Sequence, residues 1–312
     1  MNTHEMTRRA RWKARYVTKQ TGRRARSWMV VTASARRPGS SLWLCSWQRS
    51  GSTWLAEMLA QTTGTRLVYE PANLHDSTFT GELAAASALA TGAGPGCDDV
   101  VAAMRGTLRH PWVDQFNRSH VVRRTVVKDV RAMGIAGEVA AVLPDSPIVI
   151  LTRHPIAVAR SVVDLGWTSD DDHRVAFLAQ VEQWCEFHVR ALADVRLDGA
   201  KFVTYEALIA DPHRRVRSIF EWAATFDPTW RRLDTSQIDV ARPSSTDFRG
   251  QRDGANSRWP GLKDADVEAA TAIITSHGLD ALYGPGPSAL CELDEFAAMS
   301  RNKATRPPAS ER

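Results

Sequence analysis

The chain has 312 residues, 43% hydrophobic and 24% charged, with a net charge of +5, enough for one large α/β domain and a substantial core. No stretch reaches the roughly 18 uninterrupted apolar residues of a membrane span, so the chain reads as soluble. Four scattered cysteines, Cys45, Cys97, Cys185 and Cys291, form no Cys-x-x-Cys pair, which argues against a disulfide framework or a zinc site and fits a reducing, cytoplasmic setting.

The positive charge is concentrated at the start. Residues 1–39 carry eleven lysines and arginines against Glu5 alone, so the remainder is mildly acidic. This segment reads as a solvated basic arm, suited at most to weak contact with an anionic surface. Its aromatics are too scattered to support a nucleic-acid partner. Arg23-Arg24 ahead of Trp28 to Val31 imitates an export signal, but the apolar run is shorter than the roughly 7–15 residues such a signal needs.

After a break at Pro38-Gly39-Ser40, Ser41 to Trp47 reads as a buried strand. Thr53 to Thr62 reads as a helix with Trp54, Leu55, Met58 and Leu59 on one face. Arg66 to Tyr69 is a short strand running into Glu70-Pro71, and residues 80–97, rich in Ala and Gly, look like a loop or loosely packed lid. Arg124 to Lys128 and Pro147 to Thr152 are β-branched strands flanking a helical stretch, Ala132 to Leu143. Helices at Pro155 to Asp164 and Val175 to Val195 precede a strand at Lys201 to Thr204. This alternation predicts an α/β fold in three layers, a parallel sheet with helices on both faces. The expected organisation is a basic arm (1–39), one domain (40–284) and a C-terminal tail (285–312).

Ligands of such sheets bind beyond the carboxyl ends of the strands. Three segments with unusual polar residues fall there: Gln48 to Thr53, Glu70, and Arg153 to Ser161. In the first, Gly51 permits a tight turn, backbone N–H groups can curl around an anion, and Ser50, Ser52 and Thr53 meet the positive end of a helix. This is a P-loop-like phosphate cradle lacking the Gly-Lys-Ser/Thr of nucleoside triphosphate sites; Arg49 supplies the cation. In the second phosphate-suited segment, Arg153 ends a strand, Pro155 suits a first helical turn, and Ser161 follows two turns on. Taken alone, that pair also fits an ordinary surface helix.

Together the two segments resemble the PAPS-dependent sulfotransferases, whose donor is 3′-phosphoadenosine 5′-phosphosulfate. That family carries an Arg/Lys-Ser-Gly-Ser/Thr-Thr loop for the 5′-phosphosulfate and an Arg-x-Pro-x-x-x-x-x-Ser motif for the 3′-phosphate. The resemblance implies Arg49, Ser50, Gly51, Ser52, Thr53 and Trp54 on the 5′ side, and Arg153 and Ser161 on the 3′-phosphate. It extends to Tyr205 in Tyr205-Glu206-Ala207-Leu208, near the adenine, and to Phe248, Arg249 and Gly250, followed by Arg258-Trp259, as a C-terminal loop touching the 3′-phosphate. The histidine base of the cytosolic small-molecule branch is missing from Lys128-Asp129-Val130. Tyr69-Glu70-Pro71 instead resembles the Glu-Pro segment of the carbohydrate and bacterial branch, making Glu70 the expected base, with Arg49 and Lys128 stabilising charge. PAP, the desulfated product, is then released, and no metal is expected.

The implied acceptor is a glycan or glycolipid hydroxyl, with a phenolic or secondary-metabolite hydroxyl as the alternative. Trp112, Trp167, Trp184, Trp222 and Trp230 could line its pocket or belong to the core. A P-loop kinase or NTPase and a non-catalytic nucleotide-binding protein are the competing classes.

Overall fold

The computed structural model describes residues 40–75, 95–117, 122–167, 172–231, 233–242, 244, 259 and 261–305. Five strands, β1 (Ser41–Ser46), β2 (Thr65–Tyr69), β3 (Arg124–Asp129), β4 (Ile148–Thr152) and β5 (Lys201–Thr204), form one sheet in the order β2-β3-β1-β4-β5. Every neighbouring pair is parallel. A parallel sheet covered on both faces buries both sides of each strand. All residues of β1 to β4 are accordingly buried.

The side-chain alternation of β1 divides the core. Leu42 and Leu44 join Val149 and Leu151 under helices α1 (Ser52–Leu59), α6 (Tyr205–Ala210) and α7 (Pro212–Ala223). Trp43 and Cys45 point the other way, toward α2 (Pro95–Met104), α3 (Ala136–Val142), α4 (Pro155–Asp164) and α5 (His173–Ala193). Helices α8 (Asp264–Ser276) and α9 (Leu293–Thr305) join that second layer. The three-layer α/β expectation is met.

Several local readings differ from what forms. The helix expected from Thr53 to Thr62 begins at Ser52, directly on Gly51, and ends at Leu59. The stretch expected to be helical from Ala132 to Leu143 divides into a 3-10 turn (Ala132–Ile135) and α3. At the end of the segment read as a loop or lid, α2 starts at Pro95 and buries Val100, Ala103 and Met104. Within residues 285–312, read as a tail, α9 buries Leu293, Phe296 and Ala297. Asp294 Oδ1 there accepts the N–H of Phe202 at 2.7 Å, which satisfies part of the open edge of β5. The basic arm lies outside the described residues. Among those described, no helix is long and apolar enough to cross a membrane.

The chain leaves β1 for the β3 and β2 side first and later returns to β4 and β5 on the other side. The crevice beyond the carboxyl end of β1 is therefore the topological switch point, where open α/β sheets bind ligands.

Candidate active site

Each strand delivers one polar group to that edge: Arg49 to Thr53 after β1, Glu70 after β2, Lys128 in β3, Arg153 after β4 and Tyr205 after β5. The β1 loop turns sharply because Arg49 and Gly51 both take positive φ, 63° and 84°. A Cβ at Gly51 would lie 2.5 Å from Cδ2 and Cε2 of Tyr205, so glycine is required both by backbone conformation and by the ring above it. No side chain caps the N-terminus of α1, and no acidic residue occupies its first turn. The Ser50 hydroxyl is fully buried without a hydrogen-bond partner. An uncapped helix start beside an unpaired buried hydroxyl fits an anion. Ser52 and Thr53 are buried in the first turn of α1, and the Trp54 ring meets Tyr205 edge-on at 6.3 Å.

The second phosphate-suited segment packs onto this loop. Arg153 donates from Nη1 to the Arg49 carbonyl at 3.1 Å, and its guanidinium lies over the Tyr205 ring at 4.6 Å. Arg49 reaches across to donate from Nε to Ser161 Oγ at 2.9 Å, with Trp167 beneath its guanidinium at 5.6 Å. Arg49, Arg153, Ser161 and Tyr205 thus form one cationic cluster, with the Arg49 side chain on the Ser161 side.

Buried Glu206 holds the Arg153 turn in place. Its carboxylate accepts the His154 N–H at 2.9 Å and the Tyr283 hydroxyl at 3.3 Å; burial raises its pKa. His154 accepts the Ile156 N–H at Nδ1 and donates from Nε2 to the Gly284 carbonyl. Burial lowers its pKa to about 4, so it is a neutral structural cap rather than a proton carrier.

On the opposite flank, Lys128 Nζ is ion-paired with Glu70 Oε1 and lies 4.6 Å from the centre of the Tyr69 ring. Asn73 donates from Nδ2 to Glu70 Oε2 at 2.6 Å. Glu70 is itself buried and has a positive φ of 46°. The Tyr69 hydroxyl interacts with the side chains of Glu70 and Thr53; burial, reinforced by the Glu70 charge, pushes its pKa well up. The site therefore joins Glu70 to the first turn of α1 through Tyr69. Asp129 accepts three backbone N–H groups, from Ala72, Arg131 and Ala132. Burial raises its pKa, and its role is to anchor the turn after Glu70.

Phe248, Arg249, Gly250 and Arg258 lie outside the described residues. Trp259 covers His154 at 4.7 Å and donates to the Pro285 carbonyl. Of the five tryptophans considered for an acceptor pocket, Trp184 and Trp230 are fully buried in the core. Trp112 meets Tyr69 edge-on, and Trp222 packs on Phe226. Trp167 is 43% exposed beside Arg49. Asn73 and Tyr283 join the site without a sequence motif to mark them; the one available cue was that Asn73 stands three residues beyond Glu70.

The crevice thus gathers an uncapped helix start, a cluster of arginines and an adjoining buried carboxylate. A profile described as the sulfotransferase family matches residues 42–226, more than half of the chain, and the chain belongs to that family. It is thus an enzyme of sulfuryl transfer. Among solved structures it is similar to a sulfotransferase from Alicyclobacillus acidocaldarius, with 16% identity, 79% of this chain and 95% of that chain covered, and a TM-score of 0.46. A sulfotransferase domain of the Synechococcus PCC 7002 olefin synthase is 21% identical over 89% of this chain and 98% of that one, with a TM-score of 0.40. Mouse sulfotransferase SULT7A1, solved with PAP, is 14% identical over 80% and 87%, with a TM-score of 0.43. No curated protein matches the chain.

Proposed function

We propose that the chain transfers a sulfuryl group from PAPS to an acceptor hydroxyl by in-line displacement, with Glu70 as base. The observation that carries this reading is the uncapped start of α1 beside the buried, unpartnered Ser50 hydroxyl, together with the Glu70–Lys128 pair on the adjoining strands. Ser50, Gly51, Ser52, Thr53 and Trp54 would receive the 5′-phosphosulfate, and Arg153 and Ser161 the 3′-phosphate. Tyr205, under Arg153 and over Gly51, would bound the nucleotide. Arg249, with Phe248 and Gly250, completes the 3′ side in this reading. Residues 40–284 are taken as the catalytic domain.

In the reaction the acceptor oxygen attacks sulfur, the bond from sulfur to the 5′-phosphate oxygen breaks, and the acceptor proton passes to Glu70. PAP leaves as the second product. Sulfuryl transfer, like phosphoryl transfer, has a loose transition state, so positioning and charge stabilisation dominate catalysis. Lys128 and Arg49 supply cations to the oxygens that gain charge. Lys128 is ion-paired with Glu70, and once Glu70 has taken up the proton the lysine charge is available to the departing phosphate.

The carboxylate base favours a glycan or glycolipid acceptor, and the exposed Trp167 ring beside Arg49 suits the flat face of a sugar or of an aryl group. A cytoplasmic setting agrees with the four free cysteines. Burial pushes the Cys185 thiol up to about 12, which makes it inert. Incubating the protein with sulfur-labelled PAPS and a metabolite extract, then identifying labelled products, tests the reading. A labelled sulfate ester formed together with PAP is expected. Magnesium-dependent cleavage of ATP with no use of PAPS would replace it with the kinase class.

A further inference from the structure

We infer that Asn73 is a positioning residue that fixes the Glu70 carboxylate for proton acceptance. The inference rests on Glu70 being the base. Lys128 engages Oε1 and Asn73 engages Oε2, so the carboxylate is held at both oxygens and cannot rotate about its own axis. A carboxylate has about four lone-pair sites, and the contacts with Lys128, Asn73 and the Tyr69 hydroxyl leave one for the acceptor proton.

The backbone explains why such an anchor is needed. Glu70 stands at φ 46°, a conformation that bulky side chains adopt only where their surroundings over-determine it. Here the Glu70 N–H donates to the Lys128 carbonyl at 2.7 Å, and the Asn73 N–H returns to the Glu70 carbonyl at 3.1 Å. The Ala72 N–H is fixed on Asp129 Oδ2 at 2.9 Å. The 3-10 turn Pro71–His75 is thereby tied to the end of β3, and residues three apart in such a turn lie over one another. That places the Asn73 amide on the Glu70 side chain.

The amide's other end supports this role. Asn73 Oδ1 is buried with no hydrogen-bond partner. Buried polar groups are normally paired, and each exception calls for a reason; here the amide leaves its carbonyl bare while its N–H meets the carboxylate.

A double-mutant cycle tests the inference. The rate read is PAP release from labelled PAPS at saturating donor, with 2-naphthol as the hydroxyl probe and with water alone. Asn73→Ala should lower kcat by about 10–100-fold, the size of effect seen when the partner that orients a metal ligand is removed, with the KM for PAPS and the affinity for PAP unchanged. In a Glu70→Gln background the same change should cost nothing further, because the two residues act as a unit. Asn73→Asp keeps the shape but sets a carboxylate against Glu70, so it should be at least as damaging as alanine; Asn73→Ser, which retains a donor, should recover part of the rate. If Asn73→Ala disrupts folding, as shown by lost PAP binding, the Asp variant carries the comparison. An equal loss in both backgrounds, or an Asp variant milder than alanine, would make Asn73 structural and overturn the inference with Glu70 still the base. A fully active Glu70→Gln enzyme would remove the base itself, a separate result.

Discussion

Replacing Gly51 with alanine probes the junction on which the nucleotide crevice depends. At φ 84° an L side chain costs about 1–2 kcal/mol. The new Cβ would stand 2.5 Å from two carbons of Tyr205, where carbon contacts normally settle at about 3.5–4.0 Å, so the ring must retreat by about 1 Å. Overpacking of this kind costs about 1–3 kcal/mol, and together the two effects predict about 2–5 kcal/mol of lost stability. The displaced ring is pushed against Arg153, whose guanidinium lies over it, and disturbs the cation assigned to the 3′-phosphate, so PAP should bind more weakly. Denaturant unfolding reads the first effect and titration calorimetry with PAP the second. A Gly51→Ala protein with unchanged stability and unchanged PAP affinity would refute the reasoning.

Three further outcomes are expected. PAP should bind much more tightly than 5′-AMP, and Arg153→Ala should erase most of that preference, since charge-assisted hydrogen bonds to a phosphate contribute about 1.5–3 kcal/mol each; equal calorimetric affinities for PAP and AMP in the wild type would contradict the 3′-phosphate assignment. With Arg49 and Lys128 as the cations, transfer should persist in EDTA, and loss on chelation with recovery on adding magnesium would count against it. Burial holds the pKa of His154 at about 4, against an ordinary 6.5. The unfolded chain therefore binds more protons between these values, so this contribution to stability is full above about pH 6.5 and falls by about 3 kcal/mol as the pH drops to about 4. Denaturant unfolding across that range should show a shallower pH dependence for His154→Gln than for wild type, and identical slopes would contradict it.

Much of the fold was legible because buried parallel strands read as short apolar runs. Ser41 to Trp47 and Pro147 to Thr152 announce themselves in this way. Arg49 to Thr53, Arg153 and Ser161 were legible as chemistry because polar residues at strand ends and helix starts are conspicuous. Their mutual arrangement was not, since the contact of Arg49 with Ser161 joins positions 112 apart and no local pattern encodes where a long side chain turns. Glu70 gave no sign of its positive φ, a conformation that residue type predicts for glycine or asparagine. Asn73 was hidden by ordinariness: an asparagine two residues beyond a proline reads as turn chemistry, and only folding sets its amide on a carboxylate. Helix α9 escaped notice because its burial rests on little more than Leu293, Phe296 and Ala297 in an otherwise polar stretch.

Whether Glu70 accepts the acceptor's proton during sulfuryl transfer is measured most directly by the turnover of Glu70→Gln from labelled PAPS. Glutamine preserves the size of the side chain and can still accept a hydrogen bond from Asn73, but it cannot take up the proton. A positioned carboxylate contributes about 10²–10⁴-fold, so turnover should fall by at least about 10²-fold while PAP affinity stays near wild type. Near-wild-type turnover in Glu70→Gln would contradict the account and leave Glu70 a structural partner of Lys128.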